Sequence, residues 1–575
     1  MRKILAVIIA LAAAGCGGVR PPETPAPVIR GAPIIPATWT LRSQPVTAPH
    51  AMVVTAHPLA TQAGVEILKE GGNAIDAAVA VAFALEVVYP VAGNVGGGGF
   101  IVYRTAAGEV AALDYREAAP SGASRDMYVD SAGNVTDKSR IGHLAAGVPG
   151  SVAGLHAAWK RYGSLPWATL LAPAIRLARG HVIDADRSRN IAGDRELLAR
   201  FPASRTQFLP GDSAPPPGTT WKQPDLARTL QLISDSGPDV FYRGQIADLI
   251  VAEMHRGGGL ITKEDLGRYQ AKWRTPVRLT YRGSTIYSMP PPSSGGVTMG
   301  EILNILEGFD TIPRFGTPAY VHLLTEAMRR AFIDRNRWLG DPDFVDMPLD
   351  RLLSKPYAAT LRAQIDPQHA TPTPPAATGR EGMNTTHYSI VDAQGNAAAV
   401  TTTLNGGFGS GVTVTGAGFL LNNEMDDFTS APGKPNMYGL VQGEANAIQP
   451  GKRMLSAMTP SIVLDKSGQL EMVVGTPGGP TIITSVAQVI LDVLDQGMDL
   501  SAAMAAPRIH HQALPDVIRY EDGGFSDATL QALRAMGHRI DAWRGRQGLV
   551  EAIQRTAGGW VGVPDPRSAG GALGY

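Results

Sequence analysis

Only one cysteine, Cys16, occurs in the 575 residues. That excludes an intramolecular disulfide, Cys-x-x-Cys redox chemistry and thiolate metal clusters. Net charge is missing too, since 51 basic and 51 acidic residues cancel, and nothing in that balance recruits nucleic acid or an anionic membrane surface. The glycine run "NVGGGGF" lacks both a G-x-G-x-x-G fingerprint and a Walker lysine, so it reads as close backbone packing beside a buried strand rather than a phosphate cradle. There is no G-x-S-x-G nucleophile elbow. His510 and His511 meet no carboxylate at ligand spacing before Asp516; they read as structural, and neither metal nor cofactor is implied.

What the chain does have is length and apolar content, 44% of residues, enough to fill a large α/β core. Its 66 glycines and 44 prolines follow no collagen-like period, the texture of a loop-rich enzyme rather than a fibre. The opening "MRKILAVIIALAAAGCGG" places Arg2 and Lys3 before an apolar run too short for an ordinary membrane span, which predicts a signal peptide over residues 1–15. Its "AAGC" ending reads as a lipobox that would put a lipid on Cys16, with signal-peptidase cleavage after Ala14 as the alternative. The protein is thus expected to be exported. Gly17 fits outer-membrane sorting of a periplasm-facing lipoprotein in a Gram-negative cell; the alternative is a soluble periplasmic or secreted form. Residues 16–46 are proline-rich and predict a tether outside the fold.

Apolar spacing predicts a strand near 51–55, helices over about 59–70 and 74–87, and amphipathic helices at "SVAGLHAAWKRY" and "AYVHLLTEAMRRAFIDRNRWL". "YSMPPPSSGG", 287–296, reads as an ordered loop. Beyond residue 384 the texture changes. "THYSIVDAQGNAAAVTTTLN" predicts two strands about a turn at "DAQGN", "GFLLNNEMDDF" a further strand and loop, "TPSIVLDKSGQLEMVVGTPGG" a hairpin, and "PTIITSVAQVILDVLDQG" a long helix. Strands followed by helices suggest sheets covered by helices.

Thr385 opens the first of these late strands, just behind a proline-rich run. Taken alone it is a β-former at a strand start. As a newly cut N-terminus it would be a nucleophile with its own base, an α-amine of pKa roughly 7.7 to 8 one residue's width from its Oγ. The acidic "NNEMDD" reads equally as a solvated turn or as carboxylates for an amine.

Those segments, with "GFLLNNEMDDFTSAPGKPNMYGLV", "KRMLSAMTPSIV", "GTPGGPTIIT", "GNAIDAAVA", "NVGGGGF", "ALDYREAAP" and "DPRSAGGALGY", resemble the bacterial gamma-glutamyltranspeptidases, which are N-terminal nucleophile hydrolases. The likeness runs from about residue 46 to Tyr575. It implies an α/β four-layer αββα sandwich built jointly by a large subunit, 47–384, and a catalytic small subunit, 385–575. It implies self-cleavage between Asn384 and Thr385, with Thr385 as nucleophile, Thr403 as its orienting hydroxyl, and Gly478 and Gly479 as oxyanion donors. Arg116 would hold the donor α-carboxylate. Asn405, Glu424 and Asp427 would hold its α-ammonium, Ser456 would lie beside the carboxylate, and Tyr438 would tip a lid.

The implied partners are glutathione and other γ-glutamyl donors, with water, amino acids or short peptides as acceptors. Two departures stand out: Glu424 where many relatives carry glutamine, and Ala457 in place of the second of two paired serines. The alternatives are a cephalosporin or glutaryl acylase of the same superfamily, and a non-enzymatic binding or structural lipoprotein of the envelope.

Overall fold

The computed structural model describes residues 32–372, 385–431, 433–545 and 547–575. Cys16, the signal segment and Asn384 lie outside them. Two seven-stranded antiparallel sheets form the centre. One runs, in spatial order, Gly571–Gly574, Met52–Thr55, Thr385–Val391, Ala397–Thr403, Gly98–Arg104, Val110–Asp114 and Lys272–Arg274. The other runs Val46–Ala48, Gly559–Pro564, Glu551–Thr556, Leu470–Gly475, Ser461–Leu464, Ser284–Ser288 and Val277–Tyr281.

Three apolar layers hold these sheets. Met52, Val54, Phe100, Val102, Val391, Ala399, Ile462 and Val473 fill the space between them. Helices Pro58–Lys69 and Ala74–Val88 cover the first sheet, and Gly295–Glu307, Pro318–Trp338 and Thr481–Leu494 cover the second. Ala74–Val88 shows how sequence dictates this: all fifteen residues are buried, as an almost wholly apolar helix requires. Asn73 and Asp76 close a capping box at its start. The architecture is the expected four-layer αββα sandwich.

The late hairpin forms as its alternation predicts. Thr385 pairs with Thr403 in register and His387 with Thr401, around a turn in which Gly395 takes φ +88° and Asp392 Oδ1 accepts the N–H groups of Gln394 and Asn396. Tyr388 and Ile390 face the helices. Thr385, His387 and Ser389 therefore point, with Val391, between the sheets. His387 is wholly buried there, its ring bonded to Thr401 and Ser389 hydroxyls, and burial drives its pKa down to about 3. The glycine run packs as expected: a Cβ at Gly97 would collide with the Thr403 carbonyl.

Three expectations are corrected. From Ile34 onward the predicted tether is docked: Ile34 N–H donates to Phe315 O at 3.0 Å, Trp39 Nε1 to Ala505 O at 2.8 Å, and Val46–Ala48 is an edge strand. A few backbone hydrogen bonds and one indole suffice where no apolar period exists. "GFLLNNEMDDF" forms no strand beyond an isolated bridge, Thr413 to Leu420, followed by a short 3-10 turn, Glu424–Asp427. Asn422 explains why, since its side chain bonds the backbone of Gly96 and Gly147 and takes the place of a ladder. In "YSMPPPSSGG", Tyr287 and Ser288 close a strand paired on both sides, and the helix starts at Gly295, leaving only 289–294 as loop.

Candidate active site

The strand pair ending in Thr385 and Thr403 opens into a narrow cavity of about 20 Å³, room for about one water. Arg116, Asn405, Glu424, Asp427, Tyr438, Ser456 and Gly479 line it with the two threonines. Nine of the ten expected catalytic and binding residues thus converge, and Gly478 stands next to the ninth. Thr385 Oγ1 is 3.2 Å from Thr403 Oγ1, and Thr403 Oγ1 accepts the Asn405 N–H at 2.8 Å.

Gly478 and Gly479 follow the strand Leu470–Gly475 and precede the helix Thr481–Leu494. Their φ angles, +137° and +56°, suit glycine, and a Cβ at Gly479 would stand 2.8 Å from the Tyr438 ring. Among the described residues neither glycine N–H is spent on a hydrogen bond, while both carbonyls accept from the first turn of the helix. Two free donors at a helix N-terminus suit an oxyanion.

At the other end Arg116 follows the strand Val110–Asp114, fixed by its N–H to Asp114 Oδ1 and its Nε to Met454 O. Its fork meets two carboxylates: Nη2 bonds Asp427 Oδ2, and Nη1 lies 2.7 Å from Glu424 Oε2. The second contact is a charge pair without an aligned hydrogen bond, and neither Glu424 oxygen has a hydrogen-bond donor among the described residues. Burial pushes the pKa of Glu424, Asp427 and neighbouring Glu117 upward, and Arg116 opposes that rise in each. Arg116 is the main charge opposing protonation here, yet burial outweighs it and all three acids stay above their ordinary values, Glu117 at about 8.

Tyr438 closes the roof. Its hydroxyl donates to Asn405 O at 3.0 Å and to Asn405 Oδ1 at 2.6 Å, and Asn405 holds φ +73°, a left-handed conformation uncommon outside glycine. Asn405 Oδ1 therefore faces the Tyr438 hydroxyl first, with one lone pair left for another donor. Ser456 Oγ accepts Met458 N–H, and Ala457 offers the cavity only a methyl group.

Sequence reasoning missed Arg335, which lines the cavity from the helix Pro318–Trp338, and the apolar wall of Leu440, Leu455, Met458 and Ile482. Elsewhere, His322, Glu326 and His538 are close enough to share an ion. Glu326 already meets Arg329 and Arg330, so a cation there would face two guanidinium groups.

A four-layer αββα sandwich with a threonine opening a central strand, beside free backbone donors, defines an N-terminal nucleophile hydrolase. The gamma-glutamyltranspeptidase family model matches residues 60–575. The glutathione hydrolase proenzyme of Escherichia coli K12 is 46% identical, with 91% of each chain covered. Among solved structures, cephalosporin acylase from Bacillus halodurans aligns at TM-score 0.83 and 30% identity over 94% of this chain and 98% of its own. Helicobacter pylori gamma-glutamyltranspeptidase aligns at TM-score 0.54 and 44% identity over 59% and 95%. The chain belongs to the gamma-glutamyltranspeptidase family, enzymes that move γ-glutamyl groups through a threonine nucleophile freed by autoprocessing.

Proposed function

We propose that the chain is cut between Asn384 and Thr385, and that Thr385 then transfers the γ-glutamyl group of glutathione and related amides to water or to an amine. In maturation, Thr385 Oγ attacks the Asn384 carbonyl. Water hydrolyses the resulting ester, leaving a carboxylate on Asn384 and a free amine on Thr385. In turnover that amine takes the Oγ proton, Oγ bonds the γ-carbonyl carbon, and the leaving amine departs with the proton. Gly478 and Gly479 N–H groups meet the oxyanion, and Thr403 orients Oγ. Water or the amino group of an amino acid or peptide then resolves the ester. Tyr438 must part from Asn405 to admit a donor, because the cavity as it stands is too small for one.

The observation that carries this reading is the pair of buried Glu424 oxygens that have no hydrogen-bond donor among the described residues, facing the same cavity as Arg116 and Asp427. An α-ammonium supplies N–H donors to that end, and an α-carboxylate matches the Arg116 fork. A cephalosporin or glutaryl acylase, the alternative that the likeness to the Bacillus halodurans cephalosporin acylase favours, would have no use for carboxylates that bind an ammonium. Intact mass spectrometry after brief mixing with glutathione and acid quench tests the proposal. Two polypeptides divided at Asn384 and Thr385, with one glutamyl mass on the smaller, are expected. An unsplit chain, or an adduct formed from glutaryl but not γ-glutamyl amides, would defeat it.

Ala457 tests the carboxylate side. Ala457→Ser restores a hydroxyl beside Ser456, and KM for a γ-glutamyl donor is expected to fall about three- to tenfold with kcat little changed. For localisation, we propose an exported enzyme anchored through a lipid on Cys16. The signal-like first fifteen residues support this, and among the described residues no helix is long and apolar enough to cross a membrane.

A further inference from the structure

Arg335 is a buried guanidinium on the cavity wall, contributed by a helix of the proposed large subunit. Its partners are all neutral. Nε donates to Ser294 Oγ at 3.2 Å, and Nη1 donates to Asn336 Oδ1 at 3.0 Å and to Gln442 Oε1 at 2.6 Å. Nη2 has no hydrogen-bond partner, and no carboxylate lies within ion-pair distance, among the described residues. A buried cation held only by neutral acceptors is costly unless a charge nearby offsets it.

The neutral partners lead to two parts of the donor site. Gln442 Nε2 donates to Asp427 O at 3.0 Å, where Asn446 Nδ2 also donates at 2.6 Å. Ser294 donates from both its hydroxyl and its N–H to Ser456 O, at 2.7 and 2.8 Å. One guanidinium thus braces the segment that carries Asp427 and the segment that carries Ser456.

The charges in the cavity show why a second cation belongs there. Arg116 now holds both Glu424 and Asp427. A donor α-carboxylate that takes the Arg116 fork must displace at least one of them. A displaced carboxylate, buried and already pushed toward protonation, would pick up a proton and lose its attraction for an ammonium unless another positive charge faced it. Arg335 faces Asp427 closely enough to lower that carboxylate's pKa, after Arg116 itself, and burial brings Arg335 down only to about 10, so it stays charged at neutral pH.

Resting on the donor assignment above, we propose that Arg335 is a positioning and specificity-determining residue: through Gln442 and through its charge it holds Asp427 in place and ionised for the donor's α-ammonium once the α-carboxylate has taken Arg116. Its effect is therefore confined to donors that carry the ammonium. Glutaryl amides keep the terminal carboxylate and lack only that group, which makes them the matched comparison.

The test measures kcat and KM for γ-glutamyl and glutaryl p-nitroanilides on the split enzyme, wild type against Arg335→Gln. The expected result is a rise of about tenfold in KM for the γ-glutamyl substrate, with kcat and the glutaryl parameters little changed, so that discrimination falls about tenfold. An equal loss on both substrates, the mark of a general structural role or of direct carboxylate binding, overturns the inference, as does unchanged discrimination. Should Arg335→Gln fail to split, Gln442→Leu, which cuts the link to Asp427 and keeps the charge, decides: reduced discrimination supports the role and unchanged discrimination rejects it. A wild type with no preference for γ-glutamyl over glutaryl overturns the donor assignment and this inference with it.

Discussion

Thr385→Ala is expected to give a single uncut polypeptide with kcat/KM for γ-glutamyl amides at least about 10⁴-fold below wild type, because one oxygen is asked to perform both the cut and the transfer. Thr403 cannot replace it. Its hydroxyl stands 3.2 Å away but sits within a strand and has no free α-amine as base. Thr385→Ser keeps an oxygen at that place and should still split and turn over, more slowly. Gel and mass analysis of the three proteins, beside activity, checks the claim. Full splitting of the alanine variant would mean that some other group makes the cut.

Arg116→Gln is expected to lower kcat/KM for γ-glutamyl donors by about 10²- to 10³-fold, about 3 to 4 kcal/mol, chiefly through KM. In the proposed donor site the guanidinium would serve twice, as the fork for a donor carboxylate and as the charge opposing the upward pKa shifts of Glu424, Asp427 and Glu117. Without it the already raised pKa of each of these buried acids climbs further, so the ammonium end is weakened along with the carboxylate end. Unlike Arg335→Gln, this substitution should penalise glutaryl donors as well, because they share the terminal carboxylate. An Arg116→Gln enzyme with wild-type KM for both donors would remove Arg116 from donor recognition.

Much of this was legible in the sequence, for reasons that differ by element. The hairpin Thr385–Val391 to Ala397–Thr403 declares itself through alternation and a glycine turn, and helix Ala74–Val88 through an unbroken apolar run with a capping asparagine. Chemistry was less readable: Thr385 looks like any β-branched residue at a strand start, and only ordered resemblance across many segments singled it out. Arg335 had a local sign that went unused. Leu324, Met328 and Ala331 form a buried stripe along its helix at spacings of four and three, and Arg335 falls next on that stripe. A charge on an apolar stripe needs a partner, but which one is decided by contacts such as Gln442, over a hundred residues away. The docking of Ile34 and Trp39 was hidden for the opposite reason, since anchoring by one backbone N–H and one indole leaves no period to detect.

The order of strands in the first sheet has a bearing on how long a mature molecule lasts. Reading across it, a piece from after the proposed cut is followed by one from before it, then two from after and three from before. Neither fragment holds either of the two seven-stranded sheets complete. Once the peptide bond is gone, the loop-closure advantage of a single chain is gone with it, and an opened molecule must recover its shape by a meeting of two solutes rather than by intramolecular collapse. The uncut precursor should regain its structure after denaturant is diluted away at any concentration, whereas the cut form should do so poorly when dilute. Persistence of the working enzyme then rests on a slow rate of opening, a one-way arrangement in which folding belongs to the precursor and endurance to the product.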